Sequence, residues 1–187
     1  MGKWEMVRLG DVCKVVTGMK TPSTDKPELW EGDIKWVIPA DVTDDMYYIY
    51  ETKRHISEKI GLKPMTIGTV LLSTTAPIGK VVIVGDERMC CNFMFRRLIC
   101  SDNVYNCYLY HYLRSQTEYL NSLGRGTTVK GITSSIILNI EIPLPPLHIQ
   151  QEISEFLDHA KMLVENRKAQ VAKQEELYKA LIQEYIK

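Results

Sequence analysis

The chain lacks any long hydrophobic run, since none of its apolar stretches reaches the roughly 20 residues that a membrane span requires. No signal-peptide pattern opens the sequence, because an amphipathic stretch begins directly after Met1. With 45% hydrophobic and 25% charged residues, the 187-residue chain has the composition of an ordinary soluble protein. We therefore expect a cytoplasmic protein without a membrane partner.

Cysteine is too scarce and too irregularly spaced for a disulfide framework. The count is five, an odd number, which fits a reducing compartment. Cys90, Cys91, Cys100 and Cys107, with His111 nearby, could be metal ligands, but adjacent cysteines and these gaps match no common zinc spacing. We expect reduced, buried thiols and no metal site.

Several catalytic motifs are also missing. The stretch "TTAPIGKV" ends like a phosphate-binding loop, yet Thr74 stands where the first glycine is required and Val81 where a metal-binding hydroxyl belongs. The stretch "GRGTT" is no dinucleotide fingerprint, and the Asp-Pro-Pro or Asn-Pro-Pro aromatic tetrapeptide of adenine methylation is absent. Ser73 and Lys80 could form a Ser–Lys pair, but a strand–turn–strand is the favoured interpretation. We predict a chain that is not an enzyme and needs no cofactor.

Net charge is zero, so no global field indicates a nucleic-acid partner. Locally, the segment from Arg88 to Lys130 holds six basic and two acidic residues, an excess of +4. Two differently solvated faces would explain this asymmetry equally well.

Short β-type runs separated by turns predict an α+β domain. Strand candidates include Thr69–Ser73, Lys80–Val84 and Phe95–Cys100, and residues 103–124 show helical spacing that ends at Gly124. A short helix is predicted after Thr133, which is a suitable N-cap residue.

The last part of the chain differs in kind. Pro143, Pro145 and Pro146 forbid a helix, and from Leu147 onward nothing breaks one. We predict two units, a globular domain at residues 1–146 and one long helix at 147–187. Arg167 and Gln174 interrupt the apolar stripe of this helix, which favours a coiled-coil seam. The predicted seam, and thus a homodimer interface, comprises Ile153, Phe156, Leu157, Ala160, Leu163, Val164, Val171, Leu177, Tyr178, Leu181 and Tyr185.

Five stretches in this order resemble the specificity subunits of type I restriction–modification systems. They are "WEMVRLGDVCKVVTGMKTPSTDKPELWEGDIKWVIPADV", "TTAPIGKVVIV", "CNFMFRRLIC", "LGRGTTVKGI" and "IPLPPLHIQQEI". One departure occurs at Phe93-Met94, where the family usually has Gln-Gly. The resemblance implies a target recognition domain for double-stranded DNA followed by a spacer helix. It also implies assembly with DNA methyltransferase subunits and, through them, restriction subunits.

Family members normally carry the domain and helix twice in one chain, with the two helices antiparallel. Only one copy is present here, so the chain is either a natural half-subunit or one half of a longer protein. A half-subunit would form a homodimer through the terminal helix.

Within that resemblance, basic and hydroxyl side chains in turn-rich segments are the candidate DNA contacts. Arginine favours bidentate contacts to guanine, lysine suits phosphates, and threonine can reach either. Arg96 and Arg97 alternate on a strand, so we expect only one to face DNA. The glycine-rich loop from Arg125 to Lys130 is the preferred site. The candidates are Lys20, Thr21, Thr74, Thr75, Lys80, Arg88, Arg96, Arg97, Arg125, Thr127, Thr128 and Lys130.

Two other classes stay open at this point. A coiled-coil adaptor without DNA specificity would share the terminal helix, but it would not need the basic Gly/Thr-rich loops. A small hydrolase with a Ser–Lys or Cys–His pair would need a concentrated polar pocket that the sequence does not indicate.

Overall fold

The computed structural model describes residues 4–126 and 130–186. Its α-helices are α1 (Leu9–Val12), α2 (Asn106–Ser115), α3 (Thr117–Ser122), α4 (Ser134–Leu138) and α5 (Leu147–Tyr185). Its strands are β1 (Met6–Arg8), β2 (Cys13–Thr17), β3 (Ile34–Val37), β4 (Tyr48–Ile49), β5 (His55–Ile56), β6 (Val70–Ser73), β7 (Val81–Val84), β8 (Met89–Cys91), β9 (Phe95–Cys100) and β10 (Glu141–Pro143). Short 3-10 turns lie at Pro27–Leu29, Pro39–Asp41 and Glu58–Ile60.

A five-stranded sheet of order β2-β9-β6-β7-β4 forms the centre of the domain. A three-stranded sheet of order β5-β3-β8 and a β1-β10 ribbon complete the β-structure of the described residues. The central strands β6 and β7 are buried on both faces, so they form continuous apolar runs rather than an alternating pattern.

The two faces of the central sheet contribute to different cores. Leu72 packs in one apolar cluster with residues of α1, α2 and α4. Leu71, its neighbour along the strand, belongs to a second cluster with residues of β3 and β8. Side chains alternate across a strand, so one short strand supplies both layers. The result is a helical layer, a central sheet and a smaller sheet.

The α+β prediction is confirmed, and most local expectations hold. The predicted strands at 69–73, 80–84 and 95–100 correspond to β6, β7 and β9. Thr133 caps α4, since its hydroxyl accepts a hydrogen bond from the Ile136 amide at 3.3 Å. The short strands β4, β5 and β8 were not expected.

The helix predicted over residues 103–124 is divided in two at Gln116. The Gln116 amide bonds to the Leu113 carbonyl three residues earlier, which is a 3-10 contact rather than an α-helical one. On either side, the hydroxyls of Ser115 and Thr117 donate to the carbonyls of Tyr112 and Arg114. Such local side-chain bonds compete with the helical ladder, and apolar spacing does not reveal them.

Helix α5 begins at Leu147, directly after the proline run, as predicted. Its 39 residues span about 58 Å at ~1.5 Å per residue. Only the first third lies against the domain, chiefly along α2. From Met162 to Ile186 every side chain except Ile182 is exposed, so the second half projects into solvent.

The face of α5 that contacts the domain is polar. Gln150, Ser154, Asp158 and Lys161 recur at helical spacing along it. Asp158 accepts a hydrogen bond from His111 Nε2 at 2.8 Å, and Lys161 donates to the Asp45 carbonyl. The apolar stripe lies roughly 100–120° further round the helix, at 100° per residue, and is left uncovered.

Gln150 fixes the start of α5 because its buried amide is fully hydrogen-bonded. Its oxygen accepts from the Tyr105 amide at 2.9 Å. Its nitrogen donates to the Asn103 carbonyl at 2.9 Å and to the Pro145 carbonyl at 2.8 Å. One side chain therefore joins the helix, the proline run and the segment that precedes α2.

No helix within the two described ranges is both long and apolar enough to cross a membrane.

The Gln150 contacts predict a measurable stability effect. Gln150→Ala leaves one buried amide and two carbonyls without partners, so the free energy of unfolding should fall by about 2–4 kcal/mol. Urea denaturation measures this change, and amide hydrogen exchange at Tyr105 should accelerate. Gln151→Ala, at the neighbouring exposed position, is the control and should be within about 0.5 kcal/mol of the unmodified chain. Equal stability of the two variants would contradict the role assigned to Gln150.

Candidate nucleic-acid interface

Strand register brings several loops to one end of the central sheet. Thr17, the last residue of β2, pairs with Arg96 near the start of β9. Ser73, the last residue of β6, pairs with Phe95. The loop after β2, the β6–β7 turn and the β8–β9 turn therefore meet at this edge, which we call the loop end.

Arg125 and Gly131 also belong to the loop end. Gly131 forms β-bridges with Thr75 and with Arg125, and the Ile132 amide donates to the Thr74 carbonyl at 2.8 Å. A Cβ atom at Gly131 would lie 3.3 Å from that carbonyl oxygen, a tight contact. Gly126 has a φ of 120°, which only glycine adopts readily. The glycines thus permit the close approach of these residues to the β6–β7 turn.

Three cations at the loop end are exposed and unpaired. Lys20 follows Met19, which is bridged to Asn92 of the β8–β9 turn. Arg125 and Lys130 flank the glycine-rich segment, and both side chains are exposed. No carboxylate of the described residues lies within ion-pair distance of these three side chains. Their charge is available to an anionic partner.

Arg96 and Arg97 point to opposite faces of β9, as strand alternation predicts. Arg96 donates to the Ser134 hydroxyl and to the Phe93 carbonyl, each at 2.9 Å. Arg97 donates to the Thr17 carbonyl at 3.4 Å. Partial burial lowers the pKa of Arg96. Both guanidinium groups brace loops at this end, and which of them contacts DNA remains a prediction.

Four sequence candidates do not fit a DNA contact in this structure. Thr74 is completely buried, and its hydroxyl donates to the Met94 carbonyl at 3.1 Å. The Lys80 ammonium donates to the carbonyls of Pro39 and Val42, so it ties the segment after β3 to β7. Neither residue presents a free polar group to a ligand.

Arg88 is the third correction, because it lies at the opposite end of the sheets. It stands beside the start of β3, where the Lys35 amide donates to its carbonyl. Its guanidinium pairs with Glu58 at 2.6 Å and with Asp33 at 3.5 Å. The +4 excess between Arg88 and Lys130 is therefore not a single surface.

The other threonine candidates differ in exposure and in whether the structure describes them. Thr21 and Thr75 are partly exposed at the loop end. The Thr75 hydroxyl is buried and has no hydrogen-bond partner among the described residues. Thr127 and Thr128 lie outside the described residues. Thr21 stays a predicted contact, whereas the buried Thr75 hydroxyl presents no free polar group to a ligand in this structure.

One exposed residue of the loop end was missed by the sequence analysis. Phe93, in the β8–β9 turn, has half of its surface exposed. An apolar residue in a sequence normally indicates the core. The one feature that marks Phe93 as different is the departure from the family pattern at Phe93-Met94.

The hydrolase hypothesis finds no support in the Ser73 and Lys80 geometry. The Ser73 hydroxyl donates to the Pro77 carbonyl at 2.6 Å and accepts from the Lys80 amide at 2.9 Å. The Lys80 ammonium is engaged elsewhere, so it does not activate this hydroxyl. Both residues stabilise the β6–β7 turn.

The cysteines are free thiols, and four of the five are buried. Burial raises the pKa of Cys91 to about 12, which keeps it protonated and unreactive at neutral pH. Within residues 4–126 and 130–186, no cluster of three or more His, Cys, Asp or Glu side chains could hold a metal ion.

Comparison with known proteins gives a consistent result. A family profile described as "Type I restriction modification DNA specificity domain" matches residues 1–173. The type I restriction enzyme MjaIX specificity subunit of Methanocaldococcus jannaschii is 36% identical over 174 residues, covering 89% of this chain and 40% of that protein. The EcoR124I/EcoR124II specificity subunit of Escherichia coli is 27% identical and is covered over 41% of its length.

Two solved structures of type I restriction–modification proteins are also similar to this chain. A structure concerned with complex assembly and conformational transition of the type I R-M system superposes with a TM-score of 0.80 at 28% identity, covering 98% of this chain and 44% of the other. The crystal structure of the HsdS subunit from Thermoanaerobacter tengcongensis gives a TM-score of 0.75 at 27% identity, with 97% and 43% covered. This chain therefore spans about two fifths of the length of these relatives.

The fold and this surface place the chain in a class: an α+β domain that carries basic loops at one end and continues into a long helix. The chain belongs to the type I restriction modification DNA specificity domain family. The family resemblance of the sequence motifs is thereby confirmed.

The unpaired cations predict the salt dependence of DNA binding. Arg125→Ala with Lys130→Ala should weaken duplex binding and lower the slope of log affinity against log salt by about 0.9, the contribution of the one phosphate contact assigned to Lys130. Fluorescence anisotropy over a salt titration measures both quantities. The matched control is Arg88→Ala with Lys59→Ala, at the opposite end of the sheets, which should change neither. Equal effects of the two double variants would mean that the loop end does not face DNA.

Proposed function

We propose that this chain provides sequence-specific DNA recognition to a type I restriction–modification complex. The observation that carries the proposal is the convergence of four loop segments, with three unpaired cations, at one end of the central sheet. DNA recognition needs positioning contacts to phosphates and specifying contacts to base edges. The loop end offers both kinds of group within one surface.

The roles of the loop residues follow from their chemistry. Lys20 and Lys130 suit phosphates, because an ammonium is a compact charge without a preferred plane. Arg125 can form a bidentate contact to guanine in the major groove. Thr21 supplies a partly exposed side chain whose hydroxyl can reach either a phosphate or a base. Arg96 and Arg97 hold the backbone of the neighbouring loops in place.

The partners of this function are double-stranded DNA, DNA methyltransferase subunits and, through these, restriction subunits. The chain would deliver the methyltransferase to its target rather than perform the chemistry itself. A complex acting on cellular DNA would work in the cytoplasm. The coiled-coil adaptor without DNA specificity has no support in the family assignment.

The proposed separation of DNA recognition from methyl transfer predicts which preparations are active. The purified chain alone should transfer no methyl group from S-adenosylmethionine to DNA, because it lacks the tetrapeptide of adenine methylation. Tritium transfer to duplex DNA should be detected only after methyltransferase subunits are added. Incorporation by the chain alone would overturn the proposal that recognition and chemistry are separate.

We further propose that two copies of this unit associate through α5. Nine of the eleven predicted seam residues, all except Ile153 and Ala160, have at least 38% of their surface exposed. A contiguous apolar surface of this length on a monomer would favour association. Ile153 and Ala160 are partly buried, so the free seam is strongest in the projecting half.

A two-fold axis is the simplest arrangement for two identical chains, because each stripe then meets its own copy. Antiparallel helices place the two recognition domains at opposite ends of the pair. Such an assembly would read a bipartite target whose two halves are inverted repeats, as two-fold symmetric repressors do.

Val171 provides the test of this assembly. It lies near the middle of the seam and is 44% exposed. Val171→Asp would place two like charges close to the axis and should convert a dimer into a monomer at micromolar concentration. Sedimentation velocity measures the change, while circular dichroism should show an intact domain.

The control is Gln183→Asp, which introduces the same charge roughly 140° away from the seam at 100° per residue, and should leave the dimer intact. A monomeric unmodified chain, or a specific target with two unrelated halves, would contradict the symmetric dimer.

A further inference from the structure

The β8–β9 turn is held rigidly at the centre of the loop end. Asn92 begins the turn, and its carboxamide oxygen accepts from the Met94 amide at 3.2 Å. The Met94 carbonyl in turn accepts from the amide and the hydroxyl of Thr74. At the tip, the Phe93 carbonyl accepts from Arg96 at 2.9 Å. Each of the three turn residues therefore has a fixed backbone.

A neighbouring loop packs closely against the same turn. Met19 donates through its amide to the Cys91 carbonyl at 2.8 Å and is bridged to Asn92. A Cβ atom at Gly18 would lie 1.8 Å from the Asn92 carbonyl oxygen, so glycine is required there. The backbone from which the Phe93 ring projects is thus held by contacts with the neighbouring loops and strands.

Phe93 is an apolar side chain on a polar, cationic surface. Half of its surface is exposed, although the chain has only three phenylalanines and Phe95, two residues later, is completely buried. Lys20 follows the residue that is bridged to this turn, and Arg96 braces its tip. An ordered, exposed ring on such a surface gains free energy only when a partner covers it.

A duplex offers few apolar groups to a protein that approaches its grooves. The main one is the 5-methyl group of thymine in the major groove, which alanine, threonine methyl and phenylalanine side chains contact. Insertion between base pairs would require a ring that protrudes fully from the surface. Only half of the Phe93 surface is exposed, and this half suits a contact within the groove.

We propose that Phe93 is a specificity-determining residue that reads a thymine 5-methyl group in the DNA target. The inference rests on the proposed DNA-recognition function. It adds to that function an apolar contact beside the charged and hydroxyl contacts. Because the tip of the turn is braced by Arg96 rather than by DNA, the backbone that carries the ring is positioned before binding, and little backbone entropy is lost on contact.

The experiment begins with selection of bound duplexes from a random-sequence pool. The unmodified chain and Phe93→Ala are selected in parallel, in the presence of the methyltransferase subunits. Phe93→Ala should lose the preference for thymine at one position of each half-site and keep the other positions. Ile67→Ala is the matched control, because Ile67 is an exposed apolar residue, 56% accessible, in the turn before β6 at the opposite end of the sheet.

The second step replaces that thymine with uracil, which removes only the methyl group. For the unmodified chain, the affinity should fall about fivefold to tenfold, the range expected for loss of one good apolar contact. For Phe93→Ala, the thymine and uracil duplexes should bind equally. Phe93→Leu should restore part of the thymine preference, and salt slopes should be the same for all variants because no charge changes.

The outcomes separate this inference from the function on which it rests. Specific binding by the unmodified chain together with an unchanged base preference of Phe93→Ala would overturn the role of Phe93 alone. A preference that Phe93→Ala loses but that does not respond to uracil would overturn the methyl contact. Absence of any selected sequence for the unmodified chain would overturn the DNA-recognition function and this inference with it.

Discussion

The rest of the structure depends on the three hydrogen bonds of the Gln150 side chain. A buried amide is stable only when its polar atoms are paired, and here the partners come from the segment before α2 and from the proline run. The helix cannot rotate or slide along the domain without leaving these groups unpaired. Proline stiffness prevents a helix through residues 143–146, but the amide is what determines the direction in which the helix then runs.

Polar docking of α5 has a consequence for assembly. If the helix packed on the domain through its apolar stripe, the stripe would be buried within the monomer. Instead Ser154, Asp158 and Lys161 continue the contact made by Gln150, and Asp158 meets the largely buried His111. Hydrogen bonds thus hold the helix to its own domain, while the hydrophobic surface stays free for a second helix. Directional contacts fix the orientation of the helix, and the non-directional apolar surface would supply affinity in the proposed helix pair.

The sequence predicts features that depend on local pattern and misses those that depend on distant partners. The start of α5 and the cap at Thr133 follow from proline and capping chemistry, and both are present. Nothing near Gln150 in the sequence indicates that two of its three partners, Tyr105 and Asn103, lie 45 and 47 residues earlier, since glutamine is usually a solvated helix residue. Lys80 and Arg88 were expected to be free because their partner groups, the Pro39 carbonyl and Glu58, are distant in sequence. The helix break at Gln116 depends on hydroxyl bonds that apolar spacing does not record.

The direction of α5 also relates the helix to the loop end. Gln150 contacts Asn103 and Tyr105, which follow β9 and therefore lie at the end of the sheet opposite the loops. The helix then passes His111 and reaches Asp45, close to the segment after β3 that Lys80 ties to the start of β7. It consequently leaves the domain on the side toward the loop end. In the proposed helix pair, the separation between two such loop ends would follow from the register of the two helices. A rigid attachment at Gln150 is what would make that separation a fixed length.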